Sequence, residues 1–155
     1  ILLNLGAFGR KRKVFMGDAG SMLIGFTVIW LLLLSSQNGS APPLRPVTAL
    51  WLIAVPLMDM AAIMVRRIRR GDSPFKPDRE HLHHIFQRLG LSSTQTLIVI
   101  CSIATFYAVI GILAEMLNIP EYLMFYAFVI CFAIYLVILS NIWKITSYIR
   151  KIYTK

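Results

Sequence analysis

The chain of 155 residues carries only two cysteines, and they lack CxxC spacing. Cys101 and Cys131 each fall inside a long apolar run, which reads as small apolar filler rather than a disulfide or a thiolate metal site. Acidic residues are also scarce: seven Asp and Glu stand against 16 Lys and Arg, a formal net charge of +9. There is no internal repeat, no low-complexity tract and no cleavable signal peptide, because the first apolar run is long and leads into others. Histidine is absent everywhere except one place, where all three occur within four positions, His81, His83 and His84.

What is abundant is apolar. Hydrophobic residues make up 57% of the chain, well above the roughly one-half of a soluble domain. Four stretches reach the length of about 20 mostly apolar residues that a bilayer crossing needs: 19–36, 47–65, 96–117 and 121–143. The expected fold is therefore all-α, a polytopic membrane protein with four transmembrane helices in this chain, part of a larger helical assembly. The expected organisation is a basic cytoplasmic segment over 1–18, the first two spans within 19–65, and a cytoplasmic His/Arg loop over 66–95. A transmembrane hairpin over 96–143, turning at "NIP" (118–120), and a basic tail over 144–155 complete it.

The positive charge sorts by loop. Four of the Lys and Arg precede the first span and one, Arg45, lies between the first two spans; seven lie in 66–95, none between the last two spans, and four at the end. Fifteen of the 16 thus fall on one side, which the positive-inside rule assigns to the cytoplasm. Both ends and the histidine loop are then cytoplasmic. The basicity is a topology signal, and nucleic acid is not an expected partner; anionic membrane lipids are. The chain opens on "ILLNLGAFG", apolar and without Met, which reads as the tail of an earlier span.

Four constellations carry chemical potential. In "FMGDAGS" (15–21), Asp18 enters a helix whose positive dipole end and free amides favour phosphate; its carboxylate suits a hard cation, or simply caps the helix. In "KPDREHLHHIFQRLG" (76–90), Asp78 is expected to cap a short amphipathic helix that Gly90 ends. Its stripe of Leu82, Ile85, Phe86 and Leu89 would lie on the membrane surface. At 100° per residue His81, His84 and Arg88 share a flank while His83 points away; with Arg79 they make an anion-binding face or a solvated polar one. Asp59 is an acid inside the second span, about two helical turns from Arg66, either functional or a structural hydrogen bond between helices. Pro56 suggests that this span is kinked. The runs "RKRK" and "RRIRR" read chiefly as topology and lipid contacts, and Glu115 as packing or interface.

"KVFMGDAGSMLIG" (13–25), "PVTALWLIAVPLMDM" (46–60) and "SPFKPDREHLHH" (73–84) resemble the polyprenyl-phosphate N-acetylhexosamine-1-phosphate transferase family, above all its bacterial members that use undecaprenyl phosphate and UDP-GlcNAc. The resemblance covers most of the chain, most strongly 13–90. It implies an inner-membrane enzyme that starts O-antigen and enterobacterial common antigen synthesis at the cytoplasmic face. By the same carry-over, Asp18 would bind Mg2+ or Mn2+ and take part in catalysis with His81. His83 and His84, with Arg79 and Arg88 beside them, would hold the nucleotide-sugar pyrophosphate. The family's aspartate pair and its Asn/Asp-rich loop are absent, which implies that the chain corresponds to the C-terminal part, lacks its N-terminal half as a partner, and is inactive alone. Two rival readings are a small four-span metal or ion transporter gated by the histidines, and a non-enzymatic scaffold whose basic loops hold anionic lipids.

Overall fold

A computed structural model describes residues 17–37, 39, 42–74 and 81–142, apart from the side chain of Asp18. Within them the regular structure is helical, and the chain divides after Leu44 into two units.

The first unit is built on α1 (Gly17–Gln37), 21 residues apolar all round. Met22, Leu23, Phe26 and Trp30 are all more than half exposed, as suits a helix whose neighbour is lipid hydrocarbon. Its hydroxyls return to their own backbone: Ser21 donates to the Gly17 carbonyl at 3.3 Å and Thr27 to that of Leu23 at 2.8 Å. Such internal satisfaction is what an apolar solvent demands of a polar side chain.

The second unit contains α2 (Pro46–Leu52), α3 (Ala54–Arg69), α4 (Leu82–Arg88), α5 (Ser93–Met116) and α6 (Glu121–Ser140). Helices α1, α5 and α6 are each long and apolar enough to span a bilayer. The expected second span differs: α2 and α3 meet at 81°, so the pair is a broken span or a re-entrant element, giving three spans, or four if the pair is counted as one. The break is at Ile53 (φ −107°, ψ 20°), not at Pro56. Pro56 occupies the third position of α3, in the first turn, where a missing N–H costs no intrahelical bond. Pro46 likewise opens α2. The two prolines start helices rather than kink one.

The tight packing is around α2. Trp51 is buried against Tyr107 and Phe128, and its indole N–H donates to the Met124 carbonyl at 3.3 Å. The opposing position on α5 is Gly111, where a Cβ would stand 2.5 Å from that of Trp51, so only glycine lets the helices approach this closely. Beside it Arg45 forms an ion pair with Glu115 (Nε–Oε1 3.0 Å) and donates to the carbonyls of Ile119 (2.6 Å) and Ala114 (3.3 Å) at the end of α5. Thr48, fully buried, donates its hydroxyl to Glu115. Asn118 then takes a left-handed conformation (φ 53°) that lets its own N–H reach the Glu115 carbonyl and that of Ile119 reach Ala114, closing α5 and turning the chain into α6.

Candidate functional site

At the far end of α5 from this lock, a capping box opens the helix. Ser92 accepts from the Gln95 N–H at 3.3 Å and Gln95 accepts from the Ser92 N–H at 2.9 Å. Just before it lies α4, the histidine helix. The expectation of a helix capped by Asp78 fails: His81 is still extended (φ −64°, ψ 152°), and Leu82 is the first helical residue. Asp78 and Arg79 themselves lie outside the described residues. The acceptor at the start of α4 comes instead from α3, where Asp59 Oδ1 takes the Leu82 N–H at 3.2 Å. Gly90 ends the helix as expected, at φ 96°, with the Leu91 N–H returning to the Phe86 carbonyl at 3.2 Å.

The apolar stripe of α4 faces protein, not the membrane surface. Leu82 and Ile85 are buried with Ala62 and Leu139, and Phe86 packs against the same cluster. Leu89, at the outer end of the stripe, is 37% exposed. A seven-residue helix is too short to hold itself together in isolation; here burial and Asp59 do so.

Asp59 is the centre of this arrangement. Besides the Leu82 amide, Oδ1 accepts from the Tyr135 hydroxyl of α6 at 3.0 Å, and Oδ2 lies 3.0 Å from His81 Nδ1. One carboxylate therefore joins α3, α4 and α6, and the structural reading of Asp59, a hydrogen bond between helices, is what the geometry displays. Its side chain is 14% exposed and that of His81 43%. The functional and structural readings meet here, since the carboxylate holds a histidine singled out for chemistry.

His83 is not set apart from the other two histidines. Its ring stacks on His81 at 5.9 Å between centroids and lies 4.0 Å from that of His84. The helical-wheel expectation breaks because His81 is a cap with extended backbone, outside the 100° progression. Arg88 occupies the last turn of α4 and is exposed. Three imidazoles and a guanidinium thus lie on one short segment, and His83, His84 and Arg88 can offer donors suited to an anion.

The crowding has an electrostatic result. Partial loss of hydration, followed by the neighbouring His84 and His81, holds the exposed His83 below its ordinary value of 6.5, against a weaker opposite pull from Asp59. The folded chain binds that proton less readily than the unfolded chain. The stability His83 contributes is therefore complete above the unfolded value and falls as pH drops below it. Carbethoxylation, which needs neutral imidazole, should persist at His83 with a midpoint below pH 6.5; a midpoint at or above 6.5 would contradict the arrangement.

Asp18 falls in the first turn of α1, directly after Gly17 (φ 69°), with its side chain outside the described residues. Among the described residues no group of three or more His, Cys, Asp or Glu is placed to hold a metal ion.

The chain is 55% identical over 97% of its length to the undecaprenyl-phosphate alpha-N-acetylglucosaminyl 1-phosphate transferase of Pasteurella multocida (strain Pm70). It is 53% identical over 97% to the protein of that name from Haemophilus influenzae, and 52% over 98% to that from Escherichia coli (strain K12). It spans about 42% of the length of the first two relatives and 41% of the third. No family model matches the chain, and no solved structure does. At this identity the motif resemblance holds: the chain is a homologue of a segment of these transferases.

Proposed function

We propose that the chain is the C-terminal part of an undecaprenyl-phosphate N-acetylglucosaminyl 1-phosphate transferase and carries the part of its site that meets the nucleotide sugar. In this reaction a phosphate oxygen of undecaprenyl phosphate bonds to the β-phosphorus of UDP-GlcNAc. The bond from that phosphorus to the bridging oxygen breaks, giving GlcNAc-pyrophosphoryl-undecaprenol and UMP. The observation that carries this reading is the identity of 50–55% sustained over nearly the whole chain with proteins of that name. His83, His84 and Arg88 would supply hydrogen-bond donors where two phosphates must approach each other, with His81 beside them, and neutralising that charge is the main task in phosphoryl transfer. Arg79 would add to them.

A divalent ion, Mg2+ or Mn2+, would supply further neutralisation, with Asp18 as one of its ligands. The described residues do not enclose such an ion; magnesium sites draw on one or two carboxylates and on substrate phosphates. The apolar helices suit a reaction at a membrane, and the one-sided Lys and Arg favour the cytoplasmic face of the bacterial inner membrane, where the product would enter O-antigen or enterobacterial common antigen synthesis. The transporter reading is disfavoured by the intramembrane acids, since Asp59 and Glu115 are each satisfied by donors within the chain rather than turned to a pathway.

The test is Mg2+-dependent UMP release from UDP-GlcNAc with undecaprenyl phosphate in detergent. The full-length protein should show it, the 155-residue chain alone should not, and Asp18→Asn in the full-length protein should abolish it. Turnover by the isolated chain would remove the need for the other half. Unchanged turnover of Asp18→Asn at saturating Mg2+ would remove Asp18 from the metal site.

A further inference from the structure

We propose that Asp59 is a positioning residue for the reaction: it fixes the proton of His81 on Nδ1 and so presents Nε2 of that imidazole to the substrate as an acceptor. The inference rests on the functional reading above for its role, though not for its geometry.

Asp59 Oδ2 stands 3.0 Å from His81 Nδ1. An ionised carboxylate has acceptors and no donor, so the nitrogen facing it must carry the proton. In the neutral ring that leaves the lone pair on Nε2, on the opposite side of a side chain that is 43% exposed and has no second hydrogen-bond partner among the described residues. The other oxygen of Asp59 fixes the carboxylate in place. Oδ1 of the same carboxylate holds the Leu82 amide at 3.2 Å and the Tyr135 hydroxyl at 3.0 Å. The carboxylate is thereby anchored on two sides and has one oxygen left for the imidazole. His81, the extended cap of α4, directly precedes the Leu82 amide that the same carboxylate holds. A carboxylate that orients a histidine and sets its tautomer is a recurring way to ready an imidazole for proton transfer or for hydrogen bonding to a reacting group. Around Asp59 the facing groups are Leu82 N–H and His81 from α4 and Tyr135 from α6, with His83 close enough to feel its charge.

Asp59→Asn separates positioning from support. Its amide oxygen can keep the Leu82 and Tyr135 hydrogen bonds, while its NH2 turned to His81 must donate, which forces the proton from Nδ1 to Nε2. The chain labelled with 15N-histidine in lipid nanodiscs, with His81 assigned by its loss in His81→Gln, should give the Nδ1–H pattern in the parent and the Nε2–H pattern in Asp59→Asn. In the full-length protein the same substitution should lower kcat by about 100-fold or more, leave KM for UDP-GlcNAc within about threefold, and leave the melting midpoint unchanged. Asp59→Glu, which restores an acceptor, should recover part of the loss. An unaltered tautomer in Asp59→Asn overturns the proposal, and so does a tautomer that changes with kcat intact. Absence of transfer by the unsubstituted full-length protein would instead overturn the functional reading, and the spectrum would still decide the tautomer.

Discussion

Asp59→Ala should unfasten the histidine helix from the rest of the chain. Three donors lose their acceptor together: the Leu82 amide, the Tyr135 hydroxyl and the His81 ring. The Leu82 amide and the Tyr135 hydroxyl, left unpaired, cost about 1–3 kcal/mol each and the half-exposed His81 ring little, so a loss of roughly 2–4 kcal/mol is expected for the site, short of full additivity because α4 can move to find water. The effect should be local before it is global. α4 has seven residues, no side-chain cap of its own, and two buried anchors, Leu82 and Ile85. Hydrogen exchange at residues 82–88 should therefore quicken by about 100-fold, since every 1.4 kcal/mol is tenfold. The amides in the middle of α5 and α6 should be little affected. Protection of α4 that survives Asp59→Ala would mean that its apolar face alone holds it, and Asp59 would cease to be its anchor.

The second large effect lies at the other end of α5. Arg45→Ala removes an ion pair with Glu115 and two hydrogen bonds to the carbonyls of Ala114 and Ile119, and leaves Thr48 as the donor to Glu115 among the described residues. Breaking a fully buried pair by removing one partner costs about 3–5 kcal/mol. Here the side chains are 22% and 25% exposed, so about 2–4 kcal/mol is the expected loss. For a chain of this size that lowers the melting midpoint by roughly 5–15 °C. Removing both charges, as Arg45→Met with Glu115→Gln, should recover much of this, since neither then leaves the other stranded. A melting curve for Arg45→Ala that overlays the parent would show that the charge at this position does nothing for the packing of α2 on α5.

Much of the fold was legible because its spans are long and uniformly apolar, and the runs read at 19–36, 96–117 and 121–143 correspond to α1, α5 and α6. The differences have identifiable causes. Helix α5 begins three residues before its apolar run because Ser92 and Gln95 form a capping box out of polar residues that a hydropathy reading passes over. The break at Ile53 was hidden because α2 and α3 are both apolar and run on in sequence; the signal that could have revealed it was Pro46 and Pro56, ten positions apart, each suited to the first turn of a helix. At the candidate site the histidine cluster and Asp59 stood out separately as expensive or unusual residues. Their meeting did not, since His81 and Tyr135 lie 22 and 76 positions from Asp59 and no local periodicity joins them. The same distance in sequence concealed Arg45 and Glu115, which read apart as a topology marker and a packing residue.

The crosswise setting of α2 has a consequence for the lipid around it. At 81° to its successor it adds almost no height along the axis of α3, and the 16 residues of α3 rise about 24 Å. That is less than the roughly 30 Å of an average hydrocarbon core, and the last turn of α3 is spent on Arg66, Arg67 and Arg69. Neighbouring α5, with 24 residues, rises about 36 Å. If the α2/α3 pair crosses the bilayer, a short and a long helix packed side by side set conflicting demands on it, of the kind that local thinning beside the short helix and tilt of the long one resolve. Where the hydrocarbon is thin, arginines at the foot of a helix reach headgroup level without extending.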